Sequence, residues 1–209
     1  TIFSAMHAVL LAKPPYPAAD ELALVQAVLE RDGQPPDTLE YWSLSRLYEL
    51  RGPRPPVAPI VIVTIDEPTI AELNQWPFAR AAHAQVIRNI SAGRPLAIGV
   101  DIVFDTPSPR GPDDDLALAS AVASAGNVVL GCAWALDTTF QRRASLSCPT
   151  PQIRKGAAGH APVNLGFDLD GAVRRAPLAI EAGGERFEAF AAQLYRLAAK
   201  AGLPARPLP

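Results

Sequence analysis

The sequence predicts an α/β fold: a mixed sheet built from βαβ units, with helices on both faces and a helical extension at the N-terminus. Three observations predict it. Two apolar, β-rich runs, IVIVTID and PLAIGVD, each end in a carboxylate and are joined by a segment of helical length. Apolar runs of that length, bounded by turn residues, read as buried strands, and a helical crossover between them makes the pair parallel. A further helix and strand follow at 113–125 and 127–134, and then come turn signals suited to antiparallel strands.

Residues 1–11 are apolar apart from His7 and stop short of Lys13. They read either as the outer end of a membrane helix or as an ordinary amphipathic helix, and the missing initiator methionine suggests a piece of a longer protein. No signal-peptide pattern is visible. Prolines at 14, 15 and 17, at 35 and 36, and at 53, 55, 56 and 59 cut the first quarter into two helical segments. The first, 18–31, carries Ala18, Leu22, Val25 and Leu29 at helical spacing and stops at Asp32-Gly33. The second opens on Asp37 with Glu40 three residues on, a capping pattern, and runs through Trp42, Leu47 and Leu50 to Arg51-Gly52-Pro53. Two short helices bury too little to stand alone. Residues 1–56 are therefore expected to lean on a main domain at 57–203, with 204–209 as a tail.

In the main domain, 60–66 reads as a strand, 80–91 as a helix and 96–101 as a second strand. Asp66-Glu67-Pro68-Thr69 opens a short helix through Leu73, with Pro68 in its first turn. The loop 106–112 is rich in proline, and the helix after it closes at Gly126. Residues 136–161 lack a strong period and read as an excursion. Segments 163–167 and 173–181 flank Asp168-Leu169-Asp170-Gly171, a turn with hairpin chemistry. Gly183-Gly184 makes a second turn, and 188–201 reads as a final helix with Phe190, Leu194 and Leu197 on one face.

A net charge of −2 without a basic stripe argues against nucleic acid, whose phosphates need clustered Lys and Arg. No apolar span reaches the roughly 18 residues that suggest a membrane crossing. There is no GxSxG, HExxH, GxGxxG or phosphate loop with a lysine, and His7, His83 and His160 lack metal-ligand spacing. Catalysis is not signalled. Cys132, in a strand-like run, and Cys148, in a loop, read as two unpaired thiols; a disulfide would require an oxidising compartment.

The candidate site rests on strand ends. In parallel sheets, ligands bind where the C-terminal strand ends share an edge, which would bring Asp66 and Asp101 to one crevice. Asp105 could complete a three-carboxylate set with oxygen ligands for a divalent cation. Trp76 and Phe78, flanking Pro77, could form a rigid aromatic roof. Arg80 in a first helical turn opposes the helix dipole, so an anion should compensate it: Asp66, Asp101 or a ligand carboxylate. His83 lies on the same helix face, and Arg174 is a further candidate. The plainer readings are that Asp66 caps its helix, that Arg80, His83 or Arg174 pairs with the acids, and that Asp113-Asp114-Asp115 serves its own helix N-terminus. The turn at 168–171 lacks the later acceptors of a calcium loop, so pairing of its acids with Arg174 or Arg175 suffices.

Taken in order, IVIVTIDE, QWPFAR with His83 after it, PLAIGVDIVFD, DDDLALASAV, NVVLG, VNLGFDLDGAVRRAPLAI and GGERFEAFAAQLYRL resemble the second type of CHASE domain. That family is an extracytoplasmic sensory module of bacterial signalling receptors. Phe78 stands where the family's WPWPR-like block commonly has a second Trp, and Ala79 where it has a second Pro. The resemblance implies a non-enzymatic, extracytoplasmic sensor of an inner-membrane protein that responds to an unknown small ligand. It further implies flanking membrane helices, a cytoplasmic cyclase or kinase output in the same protein, and a homodimer. The rival reading is a metal-dependent hydrolase or phosphoryl-transfer enzyme using Asp66, Asp101 and Asp105.

Overall fold

The computed structural model describes residues 38–53, 60–74, 76–136, 144–168, 170–174, 176–182 and 185–203. The predicted helix at 18–31 and the tail at 204–209 lie outside them. The chain forms two compact units. One contains the described residues between 60 and 164 and between 177 and 203. The other contains those between 38 and 53 and between 165 and 176.

The first unit is a three-layer α/β arrangement. Its elements in order are helices α2 (Glu67–Leu73) and α3 (Arg80–Ala92), strand β1 (Ile98–Val100), helix α4 (Pro112–Ala125), and strands β2 (Val128–Leu136) and β3 (Ala144–Ser147). Helix α5 (Pro151–Arg154), strands β4 (Gly159–Pro162), β5 (Ala179–Ala182) and β6 (Glu185–Glu188), and helix α6 (Phe190–Lys200) complete it. Strand β2 is the centre. β1 pairs with it in parallel, Ile98 opposite Val128, and β4 pairs in parallel, Val129 opposite Gly159. Helices α4 and α5 supply the two crossovers. β3 pairs with the far half of β2 in antiparallel register, Ala133 opposite Ser147. Cys132 and Trp134 turn their backbone groups toward Val163 and Asn164, after β4. Since successive residues alternate sides, β3 must lie on the β1 side. The mixed sheet follows.

Period-2 alternation assigns the two faces. Ile98, Val100, Val128 and Leu130 point into a core closed by Ala84 and Ile87 of α3, Leu118 and Val122 of α4, and Ile153 of α5. Ala97 and Val129 face the other way, against Leu194 and Ala198 of α6. Gly99 lies on that second face. A Cβ there would come within 2.8 Å of Leu194 Cδ1 and 2.9 Å of Phe190 Cζ, so its bare backbone lets α6 sit close to the sheet.

Several expectations change. Residues 60–66 join no ladder among the described residues. Val63 and Ile65 pack against the first core, whereas Ile60, Val61 and Ile62 are exposed, so the run is not the buried strand expected. An apolar run does not choose a hydrogen-bond partner, and the parallel pair is instead formed by 98–100 and 128–130. The supposed excursion at 136–161 holds β3, α5 and part of β4. The hairpin falls at β5–β6: of the segments expected to flank 168–171, 163–167 is not a strand, and 173–181 is a strand only from Ala179, where it pairs with 185–188. Cys132 and Cys148 form a disulfide, with Cα atoms 4.3 Å apart. They occupy the position just beyond the Ala133–Ser147 pair, where strands that do not exchange hydrogen bonds bring Cα atoms to about 4.5 Å.

The second unit is organised around helix α1 (Thr38–Arg51) and the segment 165–176. Tyr41 of α1 is buried, while Trp42, Leu47 and Leu50 are exposed.

Candidate functional site

The start of α3 is built by residues from three parts of the first unit. Its N-cap residue, Ala79, has no side chain able to cap. An uncapped helix start leaves amides without partners. Asp114, in the first turn of α4, supplies the missing carboxylate: Arg80 N donates to its Oδ2 at 2.9 Å and Ala81 N to its Oδ1 at 2.8 Å. The Ser108 hydroxyl donates to the same carboxylate at 2.6 Å. Burial pushes the Asp114 carboxyl up, but the hydroxyl, these two amides and the Arg110 charge outweigh it, holding it below the usual range.

Asp115 is buried beside it. It accepts from Ser108 N at 2.9 Å and faces Arg80 Nε at 3.5 Å. The Arg80 guanidinium also donates to the Thr106 carbonyl at 3.2 Å and lies over the Phe104 ring, 4.5 Å from its centroid. The Arg80 charge faces Asp115, while Asp114 holds its backbone amide; Asp66 instead caps α2. The acidic triplet thus serves a neighbouring helix and its arginine as well as α4.

One turn further along α3, His83 is buried at 3 % exposure. It lies 6.0 Å from the Phe78 ring and 5.3 Å from the Phe104 ring. Phe78 in turn meets Trp76 edge-on at 5.2 Å. The four rings form a continuous series from half-exposed Trp76 to fully buried Phe104. Desolvation, with a smaller contribution from the Arg80 charge, pushes the His83 imidazole down to about 4, against a weaker upward pull from Asp114. Histidine at this position is neutral at physiological pH.

The other predicted site residues fall elsewhere. Asp66 is exposed and caps α2: its Oδ1 accepts from Thr69 N at 3.0 Å and Thr69 Oγ1 at 2.6 Å, which lowers its pKa. Asp101 is half-buried just after β1, and Asp105 is exposed in the loop beyond. No group of three His, Cys, Asp or Glu among the described residues could hold a metal. Asp66, Asp101 and Asp105 are accordingly not among any such group in the described residues. Their expected meeting presupposed a ladder between 60–66 and β1, and that ladder is absent among the described residues. Phe78 is buried and packed on His83, so of the proposed roof only Trp76 offers much surface.

Arg174 belongs to the second unit and is engaged there. It donates to Asp168 at 3.0 Å, to Asp170 at 2.8 and 2.6 Å and to Ser45 Oγ at 2.6 Å, and it lies over the Tyr41 ring. These bonds raise its pKa and depress that of Asp170 to about 2. The pairing of the turn acids with an arginine follows the plainer sequence reading.

Sequence reasoning missed Phe104, Ser108, Asp114 and Asp115 as partners of α3. The uncapped Ala79 beside Arg80 was the available signal, since a helix start with a cation and no cap requires an outside carboxylate.

Compared with known proteins, the chain matches the CHASE2 domain family over residues 22–207. No curated protein and no solved structure matches it.

Proposed function

The chain belongs to the CHASE2 domain family, a family of sensory domains, and from that premise we propose that it is the stimulus-sensing part of a bacterial transmembrane receptor. The family match carries the reading, because it spans both compact units. The Cys132–Cys148 disulfide supports an extracytoplasmic position, since such bonds persist in oxidising compartments and are rare in the cytosol. Among the described residues, no helix is long and apolar enough to cross a membrane. Membrane helices, and a cyclase or kinase output, would lie elsewhere in the same protein.

A sensor must hold two states that differ in affinity for its stimulus, because a ligand binding both equally shifts nothing. The α3 start is suited to this. It joins two helices and the loop after β1 through a few polar contacts around a buried aromatic series, with Trp76 at the surface. In this reading Trp76 is the exposed contact for a small ligand, and displacement of the ring series carries the change inward. The receptor works as a homodimer, with the change at α3 altering how two copies pack.

The test is the full-length protein in membranes, with its output activity measured with this domain present, deleted or carrying Trp76→Ala. Output that changes with deletion, and again with Trp76→Ala, supports the reading. Output indifferent to deletion would end it.

A further inference from the structure

We propose that His83 makes the junction between α3 and α4 an acid-responsive switch, closed when the imidazole is neutral and opened by proton uptake. The geometry carries this. His83 sits between the Phe78 and Phe104 rings with almost no access to water. The charged groups acting on it are Arg80 on its own helix and Asp114 on α4. Phe78 and Phe104 contribute only rings.

The carboxylates nearby are already engaged. Asp114 holds the α3 amides and Ser108, and Asp115 holds Arg80 and the Ser108 amide. The Phe104 ring already carries the Arg80 guanidinium. A proton on His83 would therefore add a second positive charge against the same ring, three residues from Arg80 on one helix face. Moving the imidazole into water removes that conflict. Because Phe78 packs on His83 and Trp76 on Phe78, the movement reaches the surface at Trp76.

The proton then acts as a ligand with unequal affinity for two states. A solvated imidazole takes it up near 6.5, the buried one near 4. That difference corresponds to about 300-fold tighter binding to the open state, enough to invert an equilibrium that favours the closed form by a smaller factor. The Asp114 carboxyl, held below its ordinary range, stays charged across most of this window. As a stimulus for the receptor, acidity rests on the sensory role proposed above. The switch itself is a property of this chain.

Histidine-labelled protein titrated by NMR from pH 8 to pH 3.5 tests it, alongside the emission of a Trp42→Phe/Trp134→Phe variant that retains only Trp76. The expected result is a His83 resonance that stays neutral well below pH 6. The Trp76 emission should shift with the same midpoint, and the shift should vanish in His83→Gln. If His83→Gln does not fold, His7→Gln and His160→Gln assign the resonance by elimination. A His83 that titrates near 6.5, or a Trp76 emission unchanged through the His83 titration, would overturn the proposal. A shift that survives unchanged in His83→Gln would do the same. Acid-driven output of the full-length receptor is a separate measurement, so a failed receptor reading remains distinguishable from a failed switch.

Discussion

The α3 start in one unit and the Arg174 cluster in the other use the same parts: an arginine, two aspartates, a serine and an aromatic ring. They differ in what else is enclosed. Arg80 and Asp115 are both nearly inaccessible to water, and they share their site with a buried histidine that has no charge to give. Arg174 and Asp168 are similarly covered, but Asp170 remains 39 % exposed, and no histidine among the described residues is enclosed with them. A buried pair gives a large penalty when one partner is removed, because the other charge is stranded. A pair with an open side lets water take over. The first cluster is thus a stability and pH device, and the second is a tether between α1 and a turn.

The comparison is broken most directly by substitution. Asp115→Ala should strand Arg80 and cost about 3 kcal/mol in chemical denaturation, whereas Asp170→Ala should cost clearly less. Equal losses would show that burial does not separate the two sites. Of similar size, replacing Cys132 and Cys148 together by serine should lower stability by about 3 kcal/mol, the order expected from closing a loop of this length. Reduction of the native protein should give the same loss.

The pH windows sharpen the contrast. His83 has a folded pKa below its ordinary 6.5, so its contribution is complete above that pH and is lost as pH falls toward about 4. The loss should be about 3 kcal/mol by the usual conversion of a pKa difference, and His83→Gln should flatten the curve between pH 6.5 and pH 4. Asp170 is depressed from 3.8 to about 2. Its contribution is present above 3.8 and disappears only as pH falls through about 2, and Asp170→Asn should remove that lower step alone. Because His160, Asp66 and Asp114 are also held low, each step is read as the difference between the native and variant curves of unfolding free energy.

The smallest effect tests packing alone. A Cβ on Gly156 would fall 2.5 Å from Ala123 Cβ and 2.9 Å from its Cα, against helix backbone that cannot swing away. Gly156→Ala should cost about 1–3 kcal/mol while leaving the His83 titration in place.

Much of the fold was legible because helices and buried strands write their period locally. Residues 80–92, 112–125 and 190–200 are helices with glycine, proline or acidic signals at their ends, and 98–100 and 128–136 are apolar strands. β3 and β4 escaped because Ala144–Ser147 and Gly159–Pro162 are short and carry small or polar residues. Their strand character comes from lying beside β2. The disulfide was hidden for the same reason, since it depends on the β2–β3 register. At the site, the need of Arg80 for an anion could be read from its place in a first turn. Its source could not, because Asp114 is 34 residues away and reaches α3 only through packing. Two carboxylates at apparent strand ends drew attention to Asp66 and Asp101, but Asp66 turned out to serve its own helix.

The account depends on a sensory domain folded outside the cytoplasm, and the state of one bond in the living cell tests that most directly. Cells making the full-length protein are quenched with an alkylating reagent before lysis, and peptides containing Cys132 and Cys148 are analysed by mass. The account predicts the two peptides joined and unlabelled, separating only after reduction. Both cysteines recovered as alkylated free thiols would contradict it.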